Sequence, residues 1–297
     1  MGRIHSFAIV GTLLIAFAQV APVRGQDSPQ PSARSSGAGL VWVEQFAGSA
    51  NQDGQVTALT STTGYNFNSH FGVVAGVPLY FVRGVSSSGT TSAAGFGDLF
   101  GGFNFALANP LVNYRTSLIG AAPTGAASKG LGTGHFTFDW TNRFDRRFGR
   151  WTPMLAAGLG NSSPNTLFNQ QEFLSYGYVA HIQAGTAVKL IGPISAVASA
   201  YAIEPWGTQT AFSRVVGKGV TGLVGTLTHG HAFEQNQQST GQASLTRDNG
   251  VNGGLDLSFA SFDVWAGYSR SFAFDLNSVY FGLGVNVARL LRSGSAR

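Results

Sequence analysis

The chain has 297 residues and no cysteine, and only 10% of its residues are charged. A soluble domain usually carries about 25% charged residues, so an ordinary water-exposed surface is not expected. The missing cysteines exclude disulfides, thiolate catalysis and cysteine-based zinc sites. Lysine and arginine are scattered at a net charge of +5, which does not indicate a nucleic-acid-binding surface.

The beginning of the chain has the three parts of a secretory signal peptide. Arg3 lies in a polar start, and an apolar run over 7–18 follows it. That run is shorter than the ~20 residues of a membrane-spanning helix, so cleavage near Gly25 is expected rather than anchoring. We therefore predict a signal peptide at 1–25 and a flexible leader, rich in Pro, Ser and Gly, at 26–39.

Beyond the leader, apolar residues recur with a period of two, which is typical of β-strands. In the clearest run, Phe136, Phe138 and Trp140 alternate with polar residues. There are about twelve such runs, most of them near the 9–11 residues that a tilted membrane strand needs. The pattern predicts an all-β fold, a transmembrane antiparallel up-and-down β-barrel of about twelve strands, over 40–291, with a C-terminal tail at 292–297. We place the strands at 40–51, 55–67, 70–83, 95–108, 111–123, 133–144, 150–160, 173–190, 194–205, 250–260, 262–273 and 278–290.

The connections between these runs alternate in length. Short connections are expected at 68–70, 108–110, 145–149, 191–193 and 260–261, and longer ones at 84–94, 124–132, 161–172 and 206–249. Outer-membrane barrels have short periplasmic turns and longer external loops, so the cell outer membrane is the expected location, with both termini periplasmic. A soluble β-sandwich or lipid-binding barrel would need more charged residues on its outside. It would also not require aromatic residues near the strand ends, where this chain places Trp140, Phe144 and Trp151.

Nine ionisable residues fall on the predicted lumen-facing sides of these strands. The candidate lumen-lining residues are Asp98, Arg115, His135, Asp139, Arg143, His181, Lys189, Asp256 and Asp263. One interpretation is that they pair with one another inside a narrow barrel. The other is that some of them line a solute path and set its selectivity. Both interpretations can hold together.

Other chemistry is weakly indicated. His229 and His231, with Glu234 nearby, could hold a metal ion, but a solvated polar loop is the expected state of that segment. The apolar stretch 217–227 either folds into the lumen as a plug or extends a strand. A barrel hydrolase would need a serine and a histidine on one exposed face, and the nearest histidine with a strand context is His181. The His-x-Ser-Asn pattern of the outer-membrane phospholipase is not present. We predict no catalytic, cofactor-binding or metal site.

Three short motifs carry a family resemblance. The stretch Gly95–Asn104, then Ala122–Gly125 and Gly130–Gly134, resembles the outer-membrane transporters named for the meta-pathway of phenol degradation. The resemblance implies a barrel that passes small, often aromatic or apolar compounds, and it supplies no binding residues. The chain differs from many barrels in not ending with an aromatic residue, since 289–297 extend beyond the last predicted strand.

Two functions remain open at this point. The first is a channel or transporter for small solutes that contacts outer-membrane lipid. The second is a structural or adhesive barrel with a plugged lumen and binding loops, and an outer-membrane hydrolase is a weaker third. An enzyme is not expected, and the sequence carries no signal for an oligomeric state.

Overall fold

The fold was taken from a computed structural model, which describes residues 38–52, 54–86, 89–163, 170–215, 236–259 and 261–287. The predicted signal peptide, most of the leader and the predicted tail lie outside these residues. The same holds for His229, His231, Glu234 and the apolar stretch 217–227. Those assignments stay predictions.

Sixteen strands are present in the described chain, and they form two sheets. They are β1 (Gly39–Ala50), β2 (Gly54–Asn66), β3 (Phe71–Ser86), β4 (Gly89–Phe96), β5 (Leu99–Leu107), β6 (Asn113–Ala122), β7 (Thr137–Asp145), β8 (Trp151–Gly160), β9 (Phe173–Tyr176), β10 (Val179–Ile191), β11 (Ile194–Pro205), β12 (Gln209–Ser213), β13 (Gln238–Gly241), β14 (Asp248–Ser258), β15 (Phe262–Ser271) and β16 (Leu276–Asn286).

The larger sheet closes into an antiparallel barrel of twelve strands, which confirms the predicted fold class. β1 pairs with β16 on one side and β2 on the other, and each further barrel strand pairs with the next along the chain. β4 and β5 together occupy one position in the wall, because β4 pairs with the second half of β3 and β5 with the first half. At the break between them, the Gly97 amide donates to the Pro78 carbonyl at 2.8 Å.

The two faces of the wall differ as the period-two pattern predicts. On β3, Phe71, Val73 and Phe81 are exposed on the outside, whereas Tyr80 and Val82 are buried inside. Outward apolar side chains of this kind suit a hydrocarbon environment, and the inward set can be small, polar or charged. The inner core of the wall is a cluster of Val41, Val43, Ala47, Trp265 and Tyr280 on β1, β15 and β16.

Exposed aromatic residues collect at both rims of the barrel. At the rim with the shorter connections, which we call the short-turn end, are Tyr65, Phe67, Phe71, Phe148 and Trp151. At the opposite rim, the long-loop end, are Phe96, Phe136, Tyr178, Trp206 and Phe272. Tyr178 and Trp206 stack with ring centroids 5.8 Å apart. Two such girdles mark the boundaries of a membrane-spanning band.

A second sheet, which we call the inner sheet, consists of β9, β12 and β13 in the order β13-β12-β9. Its residues come from two connections at the long-loop end. Phe173 and Ala211 pack with Phe274 and Leu276 of the barrel, and Val215 packs with lumen-facing Val56. The inner sheet therefore lies against the inside of the wall and occupies the lumen at that end.

Several predicted boundaries are wrong, each for a local reason. The predicted strand 173–190 is two strands, because the chain leaves the wall at Gly177, whose φ of 147° suits glycine. The predicted loops 206–249 and 84–94 contain β12, β13 and most of β4. β7 begins at Thr137 rather than at Thr133, because Thr133 instead bonds to Asp98 and to the His135 carbonyl.

The described residues include no helix that is both long and apolar enough to cross a membrane.

One lumen-facing pair gives a packing test of the wall. A Cβ added at Gly282 would lie 2.1 Å from a ring atom of Trp265 and overlap it. A Cβ added at Gly284 would have no neighbouring atom closer than 3.5 Å. Overpacking typically costs about 1–3 kcal/mol, so Gly282→Ala should lower the free energy of unfolding by that amount. Urea unfolding in lipid vesicles, with Gly284→Ala as the control, measures it. Equal stability of the two variants would contradict the packing of Trp265.

Candidate functional site

The lumen has three zones along its axis. Charged side chains gather toward the short-turn end, a cavity lies farther in, and the inner sheet fills the long-loop end. Every residue on the sequence-derived list falls on a lumen-facing strand position except Asp98 and His135, which belong to connections.

The charged zone is built around Asp145 of β7. Arg115 Nη2 lies 3.4 Å from Asp145 Oδ1, and Arg143 Nε lies 3.9 Å from the same oxygen. Asn113 donates to the other carboxylate oxygen at 3.0 Å, and Arg143 also donates to the Met154 sulfur at 2.9 Å. Asp145 is almost fully buried, so its charge is compensated by two guanidinium groups that share it.

Asp145 belongs to the predicted turn 145–149, and it is a functional candidate that was not predicted from the sequence. The signal was available, because Asp145 continues the same period-two face as Arg143.

Three more candidates complete this zone. Lys189 lies on β10, and its ammonium group has no hydrogen bond or ion pair with the described residues. Asp256 lies on β14 and is buried, and Asp263 is the second residue of β15. In barrel order, the cationic residues belong to β6, β7 and β10, and the acidic pair belongs to β14 and β15. Asp145 is the acid on the cationic arc, and Asp256 and Asp263 lie on another arc of the wall.

Asp139 and His181 form a pair farther from the short-turn end. Asp139 Oδ2 lies 2.8 Å from His181 Nε2, and the Thr141 hydroxyl donates to Asp139 Oδ1 at 2.6 Å. Gly158 makes room for the imidazole, because a Cβ at that position would overlap it. The Thr141 hydroxyl and the carboxylate approach the same imidazole nitrogen, the hydroxyl at 3.5 Å. In a nucleophile–base–acid relay the hydroxyl and the carboxylate contact opposite nitrogens of the imidazole. Thr141, Asp139 and His181 therefore do not have the geometry of a hydrolase.

Asp98 lines the cavity, and its hydrogen bonds hold the neighbouring connection. Its carboxylate accepts from the Gly125 amide at 2.8 Å and from the Thr133 amide at 3.1 Å. It therefore holds both ends of the segment 125–133. His135, which precedes β7, stacks on Tyr176 of the inner sheet with centroids 4.4 Å apart. Both side chains tie the long-loop end together.

A cavity of about 270 Å³ lies below the inner sheet. It is lined by inward side chains of β1, β2, β3, β5, β6 and β7 and by residues of the connections. Its apolar lining includes Val43, Val74, Tyr80, Phe100, Ile119 and Leu131, and its polar lining includes Gln45, Thr60, Thr62, Asn104, Thr137 and Asp139. The chamber therefore offers apolar contact surface together with hydrogen-bonding groups.

The inner sheet is anchored by Arg214, which the sequence analysis did not identify. Arg214 is only 3% exposed. Its guanidinium donates to the carbonyls of Gly130 and Gln171, each at 3.2 Å, and lies 4.1 Å from the centre of the Tyr80 ring. A long-range set of this kind leaves no local sequence pattern, which is why it could not be predicted.

No group of three or more His, Cys, Asp or Glu residues converges in the part of the chain that the structure describes.

Comparisons with known proteins give the fold. No family model matches the chain, and no curated protein matches its sequence. An outer-membrane channel from Pseudomonas putida F1 has a similar structure, with a TM-score of 0.58, 13% identity, and coverage of 88% of this chain and 99% of that one. The NanC porin (TM-score 0.45, 7% identity, coverage 82% and 98%) and the β domain of the Bordetella autotransporter BrkA (0.42, 14%, 84% and 99%) are less similar. The fold is that of an outer-membrane β-barrel.

The contact between the segment 125–133 and the inner sheet can be tested at Gly130. Its φ is 65°, and an added Cβ would overlap the Ser213 carbonyl oxygen of β12. Gly130→Ala should therefore loosen β12, with amide exchange over 209–215 rising about ten-fold for each 1.4 kcal/mol of local stability lost. Hydrogen exchange followed by mass spectrometry measures this.

Gly134→Ala is the matched control, since Gly134 has a φ of 69° but its Cβ would meet nothing closer than 3.4 Å. The control has the same backbone strain without the overlap. Unchanged exchange of β12 in Gly130→Ala would contradict the described contact.

Proposed function

We propose that the protein is an outer-membrane channel or transporter for small solutes, with the lumen as the solute path. The observation that carries the proposal is the cavity of about 270 Å³ inside a closed barrel. Small barrels with a structural role fill their interior with side chains, whereas this one keeps space beneath the inner sheet. The apolar outer face with its two aromatic girdles supports a location in a membrane.

The proposal assigns selectivity to the charged zone. Lys189 is the cation best placed to act on a passing ion, because its charge is not compensated by a described acid. Arg115 and Arg143 lie on the same side of the lumen and share the carboxylate of Asp145. Low-dielectric walls strengthen such fields, so anionic solutes are favoured on this side of the lumen.

The proposal assigns solute class to the cavity. An apolar cavity of about 150 Å³ is enough to hold benzene, so the observed space can take one substituted ring. Phe100, Ile119 and Leu131 would contact the ring, and Thr137 or Asn104 would bond to a polar substituent. Small apolar or aromatic compounds, including those with an acidic group, are therefore the proposed solutes. This agrees with what the family resemblance implies.

The charge assignment predicts a change of ion selectivity. Lys189→Glu replaces the uncompensated cation of the charged zone and should shift the permeability ratio toward cations, by about two- to five-fold. Reversal potentials in planar bilayers under a salt gradient measure the ratio. Lys129→Glu makes the same charge change on an exposed residue of the segment 125–133 and should have little effect. Identical shifts in both variants would contradict the assignment.

The cavity assignment predicts a loss of solute flux. Ala121 lines the cavity from β6, so Ala121→Phe should fill much of it and lower the flux of an aromatic carboxylate such as benzoate by at least about five-fold. Uptake into protein-containing liposomes measures the flux. Ala198→Phe is the control, because Ala198 lies on the exposed outer face of β11.

Folded, inserted protein is confirmed in each case by heat-modifiable migration on a denaturing gel. If the unmodified protein inserts but passes no solute, the channel proposal is wrong and the structural or adhesive barrel gains support.

A further inference from the structure

An acidic residue lies on the outside of the barrel wall. Glu44 is the sixth residue of the twelve in β1. Val43 and Gln45 beside it face the lumen and line the cavity, whereas Trp42 and Phe46, two positions away, are 41% and 40% exposed on the outer face. Alternation along the strand therefore places the Glu44 carboxyl on the outer face near the middle of the wall.

This position is exceptional among the described residues. The other outward ionisable side chains of barrel strands, Arg83, Glu204 and Arg270, lie near the long-loop ends of their strands. Glu44 makes no hydrogen bond or ion pair with any described residue. A carboxylate facing hydrocarbon is costly, and ionisable groups at such depth usually have a partner.

The neighbouring strand supplies hydrogen-bond donors on the same face. Ser61 lies directly opposite Glu44, Thr63 lies opposite Trp42, and Thr57 lies opposite Gly48. The adjacent outer faces of β3 and β16 are apolar, with Val73, Ala75, Val77 and Leu79 on β3 and Val279, Phe281, Leu283 and Val285 on β16. The outer face of this strand pair therefore carries polar groups on both sides of one apolar pair, Phe46 opposite Leu59. We call it the β1–β2 seam: Glu44, Phe46, Thr57, Leu59, Ser61 and Thr63.

We propose that the β1–β2 seam is a dimer interface that binds a second copy of this chain within the membrane. The seam is self-complementary, since it carries both a carboxylate acceptor and hydroxyl donors. A two-fold rotation brings the Glu44 of each copy to the Ser61 and Thr63 hydroxyls of the other, as an isologous contact requires. The exposed side chains of Phe46 and Leu59, which lie opposite each other between the polar groups, would pack across the same contact.

The absence of cysteine from the chain permits a direct test by single-cysteine cross-linking. Ser61→Cys should form a disulfide-linked dimer when native membranes are treated with a mild oxidant. Thr186→Cys is the matched control. It also exchanges a hydroxyl for a thiol on the outer face, but on β10, far around the barrel from the seam. It should remain monomeric.

The role of Glu44 is tested in the Ser61→Cys background. Glu44→Leu removes the carboxylate acceptor from the seam and should lower the cross-linked fraction about ten-fold, because hydrogen bonds to a charged group are lost. Glu44→Gln retains an acceptor and should keep an intermediate fraction. Each variant is first shown to be folded by heat-modifiable migration, so a failure to insert is distinguished from a failure to pair.

Equal cross-linking of Ser61→Cys and Thr186→Cys would overturn the proposal. So would a cross-linked product whose mass is not twice that of the chain. Cross-linking that Glu44→Leu leaves unchanged would overturn it as well. None of these readouts depends on solute flux, so the dimer interface stands or fails separately from the channel.

Discussion

The structure depends on one constraint: a backbone N–H or C=O group that faces hydrocarbon must find its partner within the protein. Closure of the barrel meets it, because β1 bonds to β16 as well as to β2. Among the described wall strands only β4 has a single strand partner, β3. The constraint also explains the break between β4 and β5. Pro78 has no N–H, so only its carbonyl needs a partner on the side of β3 that faces β4 and β5. The Gly97 amide is that partner.

Closure determines where charge can lie. Once the register is set, every second residue faces the lumen, and the ionisable groups of the wall are mostly confined to that side. There they are compensated mutually, as in the sharing of Asp145 by Arg115 and Arg143 and the pairing of Asp139 with His181. This arrangement is compatible with a chain in which only 10% of residues are charged, since a lumen needs far fewer charges than a soluble surface.

The wall was predictable from sequence because alternation is a local property. The outward Phe71 and Phe81 of β3 and the inward His181 of β10 follow from counting by two. The inner sheet was not predictable, because Arg214 bonds to Gly130 and Gln171 across the chain. Asp98 shows the same limit: alternation identifies its side of the strand, but its partners, the Gly125 and Thr133 amides, are set by how a distant connection folds back.

The long-loop end behaves as one packed unit rather than as separate loops. Leu131 of the segment 125–133 and Val215 beyond β12 share a core with Tyr80 and Val82 of β3. Arg214 covers the Tyr80 ring while it bonds to both connections. Displacing the inner sheet would therefore expose this apolar core and leave buried carbonyls without donors, both of which cost free energy. Packing at one end and charged side chains toward the other divide the lumen into a structural part and the part to which we assign solute selectivity.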